Sequence, residues 1–273
     1  MINRILILIS LIPLCIRANG PDDYLSVLLM RSTFLVTDGN SSGTAFILGK
    51  PVANDSGKAE FVLVTAAHVL NGFHGDTAVI QLRTKHDNNF DPGSYKFEIR
   101  TIGKPKWIQH KTADVAVMKI SLPSIADIKL CTIDFLATDK ELEEYDVVPG
   151  EDVMILGYPY GLSSNPALFP ILRSGKIASY PITPTSIYQK LLLDFNVFPG
   201  NSGGPVFIQS NNRIYGGGTH IGITRMILGL VSTQIQIPEK INSEDQTTTI
   251  NHRLGLSEVI PASYIKELIN TLK

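Results

Sequence analysis

Cysteine is nearly missing from this chain of 273 residues, where only Cys15 and Cys131 occur. Cys15 lies in an N-terminal apolar run that reads as a removable segment, and a chain left with Cys131 alone cannot close an internal disulfide. The core alone must then hold the fold. Cys131 sits among Ile128, Leu130 and Ile133, a setting that suits a packing residue rather than a nucleophile. Charge is also sparse: charged residues make up 18% of the chain, the net charge is −1, and no basic cluster stands out. That excludes the electrostatic footprint of a nucleic-acid binder. The six histidines show no metal-ligand spacing, so neither a metal nor a cofactor is expected. Tandem repeats and low-complexity segments are lacking too. The longest mostly apolar run, Ile5 to Ile16, has 12 residues and is too short for an easy membrane span.

That run is informative in its own right. Arg4 precedes it, and Ala18-Asn19-Gly20 follows with small residues at a −3/−1 spacing. The pattern is that of a secretory signal peptide over residues 1–20, cleaved after Gly20 or after Ala18. Export to the periplasm or the medium is expected, without stable membrane association. Arg17, unusually close to the cleavage point, leaves an uncleaved anchor as the alternative.

What the chain does have is many short apolar segments punctuated by Gly, Asn, Asp and Pro. Candidate strands fall at 33–36, 44–48, 60–65, 77–83, 95–102 and 115–120, and again at 152–156, 172–180, 190–197, 206–208 and 228–237. Between the two sets lies a mixed, acidic stretch from about 121 to 150. Short strands at this spacing argue an all-β sandwich or barrel in two halves of similar size. The polar stretch Glu239–Thr249 reads as a loop. Ser257–Leu272 carries apolar residues at helical spacing with Pro261 near its start, so a closing helix is expected.

One turn organises the rest: Phe198-Pro199-Gly200-Asn201-Ser202-Gly203-Gly204-Pro205-Val206, set between two apolar runs. Its glycines permit positive φ and close approach, so the turn can lift Ser202 Oγ outward and aim backbone N–H groups at one point. A phosphate cradle is disfavoured, because no Gly-Lys-Ser/Thr follows. A nucleophilic serine needs a base and an acid to orient it. His68 follows the strand Val62-Leu63-Val64-Thr65 and two alanines, and Asp114 opens the apolar run Val115-Ala116-Val117-Met118. Taken singly, each also fits a bland role, as a packed histidine and a strand-end cap.

Together the segments Thr65-Ala66-Ala67-His68, Asp114-Val115-Ala116-Val117 and Gly200-Asn201-Ser202-Gly203-Gly204-Pro205 occur in the order His, Asp, Ser. In this the chain resembles the trypsin-like serine protease family, over roughly residues 30–272. Ser42-Gly43-Thr44-Ala45-Phe46, Gly157-Tyr158-Pro159-Tyr160-Gly161 and Ser174-Gly175-Lys176-Ile177 are similar to its disulfide-free bacterial branch, which includes the high-temperature-requirement proteases. The resemblance implies an all-β, chymotrypsin-like fold of two six-stranded antiparallel β-barrels with a C-terminal α-helix. Residues 21–130 would form the barrel carrying His68 and Asp114, 131–150 a linker, 151–255 the barrel carrying Ser202, and 256–273 the helix. It also implies a catalytic triad of His68, Asp114 and Ser202, with the N–H groups of Gly200 and Ser202 as the oxyanion hole. The specificity pocket would involve Asn196, Ser232 and Gln234. An Asn rather than an acid at position 196 argues against a preference for Lys or Arg, and Gln234, where many relatives have Gly, would narrow the pocket.

The expected activity is that of an exported serine endopeptidase acting on peptide or protein substrates. A non-catalytic binding protein on the same scaffold and an esterase-type acyl transferase are the alternatives. Asn201 stands where digestive members carry the Asp that anchors a new N-terminus, so no activation of that kind is expected. With about 70 residues after Ser202, no appended peptide-binding domain is expected.

Overall fold

The computed structural model describes residues 24–272 apart from 53–54, 88 and 243–246. The expected signal segment, residues 1–20, lies outside the described residues. The first element is a helix absent from the expectations, α1 (Leu25–Ser32). Leu25, Leu28 and Leu29 recur at the i, i+3, i+4 spacing of one helix face and are buried.

The first half then lays down β1 (Thr33–Thr37), β2 (Ser42–Val52), β3 (Asp55–Thr65), the short helix α2 (Ala67–Gly72), β4 (Thr77–His86) and β5 (Asn89–Glu98). A small hairpin of β6 (Arg100–Thr101) and β7 (Lys104–Pro105) precedes β8 (Ile108–Gln109) and β9 (Ala116–Lys119). Apart from that hairpin, which is a sheet of its own, these strands belong to an eight-stranded sheet in the order β5-β4-β1-β2-β3-β9-β8. The eighth member is β10 (Cys131–Thr132), which pairs in parallel with β2 at Leu48 and Gly49. Pro92 is accommodated because β5 lies at the sheet edge. The segment 131–150 is therefore more than a linker. It supplies β10 and also α3 (Asp139–Glu144), which starts with a capping box between Thr138 and Glu141.

The second half is a closed six-stranded barrel in the order β11-β12-β13-β16-β15-β14. Its strands are β11 (Asp152–Gly157), β12 (Ile171–Ile177), β13 (Leu191–Asp194), β14 (Pro205–Tyr215), β15 (Gly218–Asn242) and β16 (Thr247–Pro261). Six strands thus form the barrel of the second half, whereas the main sheet of the first half has eight. Two boundaries shift from the expectation. Glu239–Asn242 and Thr247–Thr249 are paired strand residues rather than loop, with Lys240 opposite Thr249. A run of β-branched threonines suits a strand despite its polarity. The closing helix, α4, spans only Ala262–Thr271. Ser257–Ile260 is held extended by ladders to β13 and β15 on either side, and Pro261 marks the switch to helix.

The larger core is shared between the halves. Leu156, Phe207, Ile227 and Leu230 of the barrel pack in one cluster with Phe46, Leu63, Val64 and Val117 of the sheet. α4 packs against β9 and β15, and its last carbonyls, Ile269 and Leu272, accept from Lys50 Nζ of β2 at 3.1 and 2.8 Å. Arg83 of β4, fully buried, lies between the rings of Phe34 and Phe169 at 4.7 and 4.2 Å and donates to the Leu168 carbonyl at 2.9 Å. Sheet and barrel are therefore joined both through α4 and through Arg83. Among the described residues, no helix is long and apolar enough to cross a membrane, and no cluster of metal-binding side chains occurs.

Candidate active site

His68 sits in the first turn of α2, where the chain leaves buried β3 through Ala66. Asp114 lies in the turn before β9. His110 Nδ1 shapes that turn by accepting the N–H groups of Ala113 at 3.0 Å and Thr112 at 3.3 Å. The Asp114 carboxylate grips His68 twice, accepting its backbone N–H on Oδ1 at 2.9 Å and meeting ring Nδ1 on Oδ2 at 2.6 Å. A third partner comes from the barrel: Ser232 Oγ donates to Asp114 Oδ2 at 2.6 Å. Burial pushes the Asp114 pKa up, but the hydrogen bonds from His68 and Ser232 outweigh it and hold the carboxyl at about 2. An ionised Asp114 requires the proton on His68 Nδ1, which leaves Nε2 as an acceptor.

The aim of Ser232 has a local cause. The ladder between β15 and β16 slips between Val231 and Thr233, so Ser232 is the extra residue of a β-bulge. Bulges redirect a side chain out of its strand's alternation. Ser232 also accepts on its carbonyl the proton of Ser202 Oγ, at 3.0 Å. One residue thus touches both the aspartate and the serine. The expectation placed Ser232 in the specificity pocket; its side chain instead reaches Asp114.

The serine turn is packed against backbone. Gly200 has φ +95° and Gly203 φ +87°, and a Cβ on either would collide with a carbonyl, Tyr158 and Thr44 respectively. Only glycine meets both demands. The turn is sewn to the barrel through Gly203 N–H to the Val231 carbonyl (2.7 Å) and Val231 N–H to the Gly204 carbonyl (2.9 Å). It is sewn to the sheet by Thr44, a fully buried residue of β2 that sequence reasoning assigned no role. Thr44 N–H donates to the Ser202 carbonyl at 2.9 Å, and Thr44 Oγ1 donates to the Gly200 carbonyl at 2.6 Å. Among the described residues, the N–H groups of Gly200 and Ser202 meet no acceptor in the protein. They remain available to an oxygen brought from outside.

Beside Ser202 lies a cavity of about 180 Å³ lined by Val197, Phe198, Pro199, Thr233, Gln234, Gln236 and Arg253. Gln234 lines this cavity. Asn196 is exposed and outside this lining; its backbone carbonyl accepts from Arg173 at 2.7 Å. Gln236 and Arg253 went unforeseen, because Arg253 joins the pocket only through its pairing with Gln236 across a second slip of the β15/β16 ladder. Asn201, beside the serine, is buried with its Nδ2 unpartnered among the described residues.

A serine hydroxyl beside unpartnered N–H donors and an imidazole oriented by an ionised carboxylate are the groups that acyl transfer needs. Residues 43–216, well over half of the chain, match the family model of the trypsin-like peptidase domain. No curated protein matches the chain.

Proposed function

Since the chain belongs to the trypsin-like peptidase domain family, we propose that it is an exported serine endopeptidase working through Ser202, His68 and Asp114. The observation that carries this reading is the shared residue Ser232, hydrogen-bonded to Asp114 through Oγ and to Ser202 through its carbonyl. It ties the acid on one side of the crevice to the nucleophile on the other.

In the proposed cycle, Ser202 turns its hydroxyl proton from the Ser232 carbonyl to His68 Nε2 as Oγ attacks the peptide carbonyl carbon. The new C–O bond pushes the carbonyl electrons onto oxygen, which receives the N–H groups of Gly200 and Ser202. Asp114 keeps the imidazolium in place without taking its proton. His68 then protonates the leaving nitrogen, the C–N bond breaks, and an acyl-Ser202 remains. Water repeats the sequence and frees the acid. Losing one oxyanion donor typically costs about 10²–10³ in rate. Export rests on Arg4, the apolar run and the small residues before position 21. N-terminal sequencing of protein recovered outside the cytoplasm should begin at residue 21 or 19, and a retained Met1 would count against it.

A fluorophosphonate probe tests the activated serine directly. Wild-type protein should label and Ser202→Ala should not. A folded wild-type protein that does not label would leave a binding module on this scaffold as the better description. Esters hydrolysed in the absence of any peptide cleavage would turn the assignment to acyl transfer on non-peptide substrates.

A further inference from the structure

The cavity beside Ser202 holds two groups that the reaction does not use. Gln234 Nε2 is buried and has no hydrogen-bond partner among the described residues. Leaving a buried donor unmade is costly, and an incoming acceptor removes that penalty. The second group is Arg253, an exposed residue on the outer wall. It meets no carboxylate among the described residues, and its guanidinium stands 5.9 Å from the Phe198 ring. Arg173 adds positive charge behind that wall, 5.3 Å from the same ring. The acids nearby are engaged elsewhere: Glu258 pairs with Lys190 at 2.6 Å and Glu239 with His252 at 2.6 Å. No acid lines the pocket.

We propose that this pocket selects substrates with a carboxylate side chain, glutamate or aspartate, on the residue whose carbonyl Ser202 attacks. The assignment rests on the endopeptidase reading above. A side chain on the acyl residue leaves the chain next to the attacked carbonyl, so the pocket that opens at Ser202 receives it. One carboxylate oxygen accepts from Gln234 Nε2 and the other faces Arg253. A carboxamide satisfies Gln234 but leaves the guanidinium without a counter-charge, and Lys or Arg would meet repulsion from Arg253. The peptide itself covers the pocket on binding, which raises the worth of the ion pair above that of an open surface pair.

The test is kcat/KM on matched peptides that differ only at that residue, as Glu, Asp, Gln, Leu or Lys. Charge-assisted hydrogen bonds of this kind predict about a 10- to 100-fold advantage of Glu over its isostere Gln. Arg253→Gln should shrink the Glu-to-Gln ratio towards unity, and Arg253→Glu should invert the order so that Lys outruns Glu, a gain that a misfolded variant would not show. Added salt should lower turnover of the Glu peptide more than that of the Gln peptide. Wild-type enzyme that prefers Leu or Lys, or a Glu-to-Gln ratio unmoved by Arg253→Gln, overturns the preference while leaving the endopeptidase standing. Cleavage of no peptide by protein whose Ser202 still takes the probe overturns the endopeptidase reading and the preference with it.

Discussion

The two walls around Ser202 are built in opposite ways. The inner wall, the turn from Gly200 to Pro205, is clamped between the halves by Thr44, Val231 and the close approach of neighbouring carbonyls. The outer wall is the far part of the β15/β16 hairpin, where Gln236, Ile237, Glu239 and Arg253 are exposed. Ser202 and the proposed oxyanion donors stand on the tightly packed wall, as precise placement at a reacting atom would require. Arg253, proposed to select the substrate side chain, stands on the exposed wall. Substitutions on the inner wall should therefore cost chemistry and stability together, and those on the outer wall should alter choice of substrate.

The sharpest contrast comes from the nucleophile itself: Ser202→Ala should lower kcat by about 10⁶-fold while the thermal midpoint stays near that of the wild type. Asp114→Asn should cost about 10⁴-fold, because the histidine loses its fixed tautomer. Asp114 also leaves a signature in stability against pH. Its folded pKa lies below the unfolded value of about 3.9, so its contribution is complete above that value and fades as pH falls towards 2. The difference in thermal midpoint between wild type and Asp114→Asn should accordingly close over that window. A constant gap from pH 7 to pH 2 would contradict the ionised hydrogen-bonded carboxylate.

Gly203→Ala puts a methyl group against the Thr44 carbonyl at a positive φ, and should destabilise the fold by about 3 kcal/mol or more in denaturant titration. Thr44→Val keeps shape but removes the hydrogen bond to the Gly200 carbonyl. A kcat loss of about tenfold, with KM little changed and recovery in Thr44→Ser, would mark Thr44 as a positioning residue. An equal loss in the Ser variant would reduce it to packing. At the small end, Ile237→Ser on the exposed hairpin should shift stability by no more than about 0.5 kcal/mol. A larger shift would erase the distinction between the walls.

Much of this was legible along the chain because the chemistry is concentrated in short segments. The Gly-rich turn requires glycines whatever surrounds it, and a histidine after small residues or an aspartate heading an apolar strand can be read locally. Less legible were the edges of elements. Ser257–Ile260 carries an apolar pattern that fits a helix, and the two neighbouring strands make it extended instead. α1 went unseen beside the strand pattern that follows it, although its leucines are spaced for one face.

By itself the sequence determined an all-β chain with a helix at its end, and it singled out the three residues proposed to carry acyl transfer. Only the tertiary structure decided that Ser232 would bridge Asp114 to Ser202, that Thr44 would hold the Gly200 carbonyl, and that Arg253 rather than Asn196 would line the pocket. Each of these depends on ladder slips or on contacts spanning from 30 to 156 residues of sequence. A bulge shifts register by one position, and in a strand one position decides which face a side chain meets. That choice belongs to the paired strands jointly, so no local stretch of sequence contains it.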